Sequence, residues 1–163
     1  MTSDDARKSL ELAIADAAKL TRAAKTASLA TLDRASGHPY VSLVTLALDV
    51  TGAPLLLISK LARHTQNLMS DGRASLLVTP LVSEGDPLAL ARITLMGTLQ
   101  PTASPTAKAC FLARHPDAAV YANFDDFAFY CLTVANAHFI GGFGRIIDLS
   151  GPRLTSVLAA STS

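Results

Sequence analysis

The spacing of apolar positions changes once, near residue 26, and the two regimes on either side predict different structures. Across residues 3–25, Leu10, Ala13, Ile14, Ala17 and Leu20 or Thr21 recur at intervals of three and four, which lines one face of a helix. Ser3 or Asp4 can cap its start, and Lys19, Arg22 and Lys25 suit the negative end of its dipole. After that the runs are short and bounded by turn residues, as strands are. Residues 27–32 form a strand, 33–39 a turn, and 40–50 a long strand with little alternation, as expected where both faces are covered. Thr51-Gly52 turns the chain into a strand over 54–59.

Residues 62–70 predict a short helix, with Leu61, Leu68 and Met69 inward, ended by Asp71-Gly72. A strand over 74–79, a loop over 80–87 and a strand over 89–100 follow. Gly97 inside that last strand suggests a bulge or a close backbone approach. Ser104-Pro105 opens a helix that runs to Arg114 and is stopped by His115-Pro116. Two further strands are predicted, 127–135 turning at Ala135-Asn136, and 137–149 broken by Gly141, Gly142 and Gly144. A short helix can occupy the tail. Six or seven strands joined mainly by short turns predict a mainly β (α+β) domain, a closed or partly closed antiparallel barrel with flanking helices. One domain is expected over 1–163, with its helix at 3–25, its barrel at 27–149 and a tail at 150–163.

Composition narrows the partners. Half of the 163 residues are hydrophobic and 17% are charged, which fits a globular chain with a core. Either alanine-rich helices or apolar surface covered by a second subunit explains the high hydropathy. No apolar run approaches the roughly 18 residues of a membrane helix, and the polar N-terminus lacks the apolar stretch of a secretory signal. Cys110 and Cys131 then read as reduced thiols of a cytoplasmic protein. Fourteen basic residues against 13 acidic ones leave no field for a nucleic acid, so any bound anion is held at one local site. His38, His64, His115 and His138 show no metal-binding spacing, and hydrolase and phosphate-loop motifs are absent. No metal site or catalytic residue is assigned, and any redox chemistry has to come from a cofactor.

Four segments carry candidate chemistry. Ser59-Lys60-Leu61-Ala62-Arg63-His64-Thr65-Gln66-Asn67 lies where a strand gives way to a helix. Free amides, the Arg63 fork, the Lys60 charge and the Ser59 and Thr65 hydroxyls could converge there on one phosphate, or simply form a solvated helix start. Ser42 and Thr45 interrupt an apolar strand whose backbone could meet the edge of a flat heterocycle, unless both hydroxyls bond neighbouring carbonyls. Arg92, inside another apolar strand, needs a bound anion, a polar ligand or a carboxylate such as Asp86 or Glu84. In His138-Phe139-Ile140-Gly141-Gly142-Phe143-Gly144-Arg145 the glycines allow close approach of a ring or backbone, or a sharp strand bend.

In this order the segments resemble the FMN-binding split-barrel family of pyridoxamine-phosphate-oxidase-like proteins, and most closely its HugZ-like haem-utilisation subgroup. The resemblance spans about residues 8–150. It rests on Gly37-His-Pro39-Tyr-Val-Ser42, on Ile58-Ser-Lys-Leu-Ala-Arg63-His64-Thr65-Gln-Asn67-Leu, on Arg92-Ile-Thr-Leu-Met-Gly97 and on Gly142-Phe143-Gly144-Arg145. It implies a six-stranded antiparallel split barrel and a homodimer with FMN at the subunit interface. By position Ser59, Lys60, Arg63, His64 and Thr65 would hold the phosphate, and Ser42, Leu43 and Val44 would lie along the flavin. Arg92 would meet the ring, and Phe143 and Arg145 would approach from the partner.

The chain departs from true pyridoxamine-phosphate oxidases. Ser42 stands where they have an Arg, and Gly151-Pro-Arg-Leu-Thr replaces their C-terminal ending, which argues against vitamin B6 oxidation. Haem-degrading relatives often carry a C-terminal domain or a C-terminal loop histidine, and no histidine follows His138. The expectation is an FMN-dependent oxidoreductase of unknown substrate. The alternatives are a haem-binding or haem-degrading protein and a flavin-binding protein without turnover.

Overall fold

The long antiparallel ladder between the two longest strands organises the molecule. The computed structural model describes residues 3–81, 84–142 and 145–160. Helix α1 (Ser3–Ala23) leads into β1 (Thr26–Leu32), β2 (Pro39–Thr45), β3 (Ala47–Leu48) and β4 (Pro54–Ser59). Helix α2 (Arg63–Ser70), β5 (Arg73–Val78), β6 (Ala91–Pro101) and α3 (Pro105–Arg114) follow, and β7 (Phe127–Gly141), β8 (Ile146–Ser150) and α4 (Gly151–Ala159) complete the chain. The sheet runs β2-β1-β5-β6-β7-β4-β3, with β8 also paired to β7, and every pairing is antiparallel. Among the described residues no helix is long and apolar enough to cross a membrane.

The α+β split-barrel class expected from the sequence is what forms, in eight strand segments instead of six. One predicted strand splits in two, and the break between the last two strands lies further along the chain than predicted. The predicted strand over 40–50 breaks where the Leu46 amide bonds the Lys25 carbonyl at 2.8 Å, which separates β2 from β3. The predicted turn at Ala135-Asn136 is not a turn. Met96 pairs with Asn136 while Gly97 pairs with Val134, so Ala135 is an extra residue bulged out of one continuous strand. The bulge keeps Leu132, Val134, Ala137 and Phe139 all facing the core.

Gly97, where a bulge was expected, faces it from β6. A side chain at Gly97 would collide with the Thr133 carbonyl, so the two backbones approach as only glycine permits. On its other edge β7 is shared: Phe127–Cys131 pair with β4, and Asn136–Ile140 pair with β8. Between these segments Gly151 packs under the Val134 carbonyl and starts α4.

Inside the curl, Ala13, Ile14, Ala17 and Ala18 of α1 meet Leu76, Leu95, Leu132 and Phe139, all nearly sealed from solvent. A second cluster packs Phe111 of α3 on Leu55 and Leu57. β4 is therefore the strand covered on both faces. β2, expected to be so, leaves Val41 and Leu43 62% and 75% exposed.

Helix α2 closes one end of the barrel through polar contacts. Leu68 is buried, but Leu61 and Met69, expected inward, are exposed, because Thr65 and Asn67 take the inward face. Asn67 donates to the Thr31 hydroxyl and accepts from the Arg34 amide, both at 3.0 Å. Asp33, almost wholly buried, accepts from the Ser36 amide and hydroxyl at 2.9 and 2.8 Å, and its second oxygen pairs with Arg63 at 2.7 Å. Those Ser36 bonds first, and then the Arg63 guanidinium, hold the Asp33 carboxyl well below the usual carboxylate range.

Two outcomes follow from this packing. Gly97→Ala should destabilise the fold by about 1–3 kcal/mol, the usual cost of an overpacked site, and a urea midpoint equal to the wild type would contradict the close approach. Asp33 ionises more readily folded than unfolded, so its contribution is complete above about pH 4 and is lost as pH falls through its depressed pKa. Asp33→Asn should therefore be less stable at pH 7 and lose less stability on acidification. Parallel acid-denaturation curves for the two proteins would reject this.

Candidate functional site

β2 bonds only to β1, and β4 bonds to β3 and β7, so the barrel is split between β2 and β4. A cleft of about 380 Å³ opens at this split. Leu43, Val44 and Leu57 line it together with Ser59, His64 and Phe127. The Ser42 hydroxyl and His64 Nδ1 share a hydrogen bond of 3.0 Å across its lip. Burial pushes the His64 pKa down, which favours a neutral imidazole. The free edge of β2 offers unpaired backbone groups to a flat ring.

The structure thus gathers Ser42, Leu43, Val44, Ser59, Lys60, Arg63, His64 and Thr65 around one corner. Many of its donors already have partners in the chain. The Ser59 hydroxyl donates to Asp126 at 2.9 Å, and Lys60 Nζ donates to the Asp125 carbonyl at 2.7 Å. Thr65 is fully buried and donates to the Ser59 carbonyl at 2.6 Å. Arg63 pairs with Asp33 and lies over the Tyr40 ring, 5.3 Å from its centroid. Ala62, at the N-cap position of α2, has no side chain able to cap. Asp33 and Asp126 add negative charge at the corner, which opposes a phosphate dianion. The sequence reading missed both carboxylates, because each lies far along the chain from the motif it contacts.

Within one chain Arg92 and Arg145 stand away from this corner. Arg92 Nη1 donates to the Leu88 and Leu90 carbonyls at 3.0 and 3.3 Å, and Asp86 instead accepts from the Leu88 amide. Arg145 pairs with Asp16 of α1 at 3.0 Å. Phe143 lies outside the described residues.

A second surface went unnoticed in the sequence. Pairing registers place Leu43, Ser28, Leu77, Thr94, His138 and Asp148 side by side across β2, β1, β5, β6, β7 and β8. A parallel row holds Val41, Ala30, Ser75, Met96 and Asn136. These rows face outward, and apart from His138 and Asp148 they carry no ionisable side chain. Ala30, Ser75 and Gly97 are small, and they leave a hollow of about 340 Å³ bordered by Met96 and Arg73. At the end of the first row His138 Nδ1 meets Asp148 Oδ1 at 2.7 Å. The signal was available as strand alternation, but it needed the register to be read.

Comparison with known proteins agrees with this architecture. The chain matches the family model described as CREG, beta-barrel, over residues 8–151. It is 31% identical over 118 residues to the non-canonical heme oxygenase HOZ, chloroplastic, of Arabidopsis thaliana, covering 71% of this chain and 36% of that protein. A heme binding protein from Mycobacterium smegmatis superposes with a TM-score of 0.82 at 33% identity, over 88% of this chain and 60% of that one. The chain therefore spans less than two thirds of either relative. A Clostridium acetobutylicum protein of the pyridoxinephosphate oxidase family shares the fold at a TM-score of 0.64 and 13% identity, over 86% of this chain and 96% of that one. The chain belongs to the CREG β-barrel family and carries the split-barrel fold of the pyridoxamine-phosphate-oxidase-like proteins, with HugZ-like relatives.

Proposed function

We propose that this chain binds haem on the outer face of its sheet, and that a second copy of the chain covers that face. The observation that carries the reading is the outer face itself, whose two central rows hold no Lys, Arg or Glu and expose Val41, Leu43, Leu77 and Met96 beside a hollow. Such a surface suits a large, flat, mostly apolar ring. Arg73 at the border of the hollow is paired with Asp71, and Arg92 beside the His138 row is bonded to the Leu88 and Leu90 carbonyls, but each guanidinium keeps N–H groups for the carboxylates of the ring's side chains. Haem iron, when bound, supplies the electron-transfer or oxygen chemistry, and the protein supplies its ligand, its orientation and its shelter from water. Two of the relatives above 30% identity are described as a heme oxygenase and a heme binding protein, which supports the same reading.

FMN in the β2–β4 cleft is the second reading, favoured by the free edge of β2 and by the Ser42–His64 pair. It is the weaker one, because the Ser59 and Thr65 hydroxyls have already given their protons to Asp126 and the Ser59 carbonyl, and Asp33 and Asp126 place negative charge beside the spare donors of Arg63 and Lys60.

One titration separates the readings. Haemin added to the purified chain should give a saturable Soret band, with the dimeric fraction rising on binding, while FMN fluorescence stays unquenched. An unchanged haemin spectrum would remove the haem reading. Tight FMN binding that Arg63→Ala weakens by roughly 1.5–3 kcal/mol would establish the flavin reading instead.

A further inference from the structure

We infer that His138, held in place by Asp148, is the residue that ligates the haem iron on the outer sheet face; this rests on the haem reading above. An axial imidazole needs a nitrogen lone pair, a fixed orientation and an apolar surface beside it. The four histidines differ on these counts. His115 Nε2 is bonded to the Leu46 carbonyl at 2.8 Å, and its ring packs on Phe111, with centroids 4.9 Å apart. His38 is exposed in the β1–β2 turn beside Pro39 of the hollow, but among the described residues no hydrogen bond fixes its ring. His64 lies at the lip of the cleft, on the side of β2 that faces α2 rather than the open face.

His138 alone stands on the apolar face. It is flanked by Thr94 on β6 and Asp148 on β8, and Ile140 and Ile146 form the next cross-strand pair along β7 and β8. Its side chain is 38% exposed, so a planar ring can reach it. A carboxylate can only accept, so the 2.7 Å contact is Nδ1–H donating to Asp148. That bond fixes the ring and leaves Nε2 as the nitrogen with a free lone pair. A ligating histidine bonded through its other nitrogen to a carboxylate is the usual arrangement at protein metal sites, because it orients the imidazole and raises its basicity.

A cross-strand His–Asp pair also occurs as ordinary surface decoration, so the test must read the iron and not the fold. The full-length chain, His138→Ala, Asp148→Asn and His64→Ala would each be titrated with haemin, and thermal melts would show that the variants fold. His138→Ala should lose the imidazole-ligated spectrum and weaken haemin binding at least about tenfold, and free imidazole should restore the bands. Asp148→Asn should still bind haemin but shift the iron–histidine stretching frequency of the reduced complex, a change that a purely structural role would not produce. His64→Ala should match the wild type. The assignment falls if His138→Ala gives the wild-type spectrum, or if His64→Ala is the variant that loses the bands. In both cases haem binding itself survives. Failure of the wild type to bind haemin overturns the haem reading and this assignment together.

Discussion

A strand of fifteen residues that serves three neighbours has to bend, and the fold depends on where β7 does so. β6 follows one edge of β7 from end to end, while β4 and β8 divide the other. A flat ladder could not bring β4 round toward β2 while keeping β8 in line with the far half. The extra residue at Ala135, set against the bare backbone of Gly97, supplies the local twist. The same irregularity keeps Leu132 and Phe139 on the core side although they lie seven residues apart, a spacing that strict alternation would place on opposite faces. Barrel closure and the hollow on the outer face thus share one cause. The approach of β7 demands glycine at position 97, and that glycine also deepens the surface beside Met96.

Much of this architecture was legible in local sequence. The helical stripe through Leu10, Ile14 and Ala17, the Ser104-Pro105 start of α3 and the Gly97 irregularity are all set by short-range chemistry, and all appear as expected. The errors fall where one local pattern has two tertiary outcomes. An alanine followed by an asparagine between apolar runs fits a tight turn or a bulge equally well, and only the partner strand decides. Leu61 and Met69 look like core residues of a short helix until Asn67 and Thr65 find buried backbone and hydroxyl partners and take the inward face. The run over 40–50 has the continuous apolar character of a doubly covered strand, but α3 packs on β4 and not on β2.

The candidate site was legible as a place and illegible as an electrostatic environment. Reading Ser59 through Thr65 as donors assumed that nothing else in the chain would satisfy them. Asp33 comes from the β1–β2 turn, and Asp126 immediately precedes β7, and each meets its partner only because the barrel closes. The Asp33 carboxylate then acts in two directions: it orders its own turn through Ser36 and anchors the start of α2 through Arg63. A guanidinium held this way is a structural cation first, and handing it to a ligand would leave a nearly buried carboxylate without its counter-charge.

β2 is where these constraints meet. Its inward side chains, Tyr40 and Ser42, touch Arg63 and His64 of α2, while Val41 and Leu43 point outward to the open sheet. A ligand in the cleft therefore enters a corner of interlocked polar contacts, where the Ser59 and Thr65 hydroxyl protons are already given to neighbours and Asp33 and Asp126 oppose an anion. A ligand on the outer face meets Val41, Leu43, Leu77 and Met96 among small and polar side chains, and burial of the apolar ones is favourable by roughly 25 cal/mol per Å². On the proposed reading the outer face therefore suits a broad hydrophobic ring better than the cleft suits a phosphate ester. The imidazole oriented by Asp148 would give such a ring a fixed point of attachment, where apolar contact alone would allow it to slide.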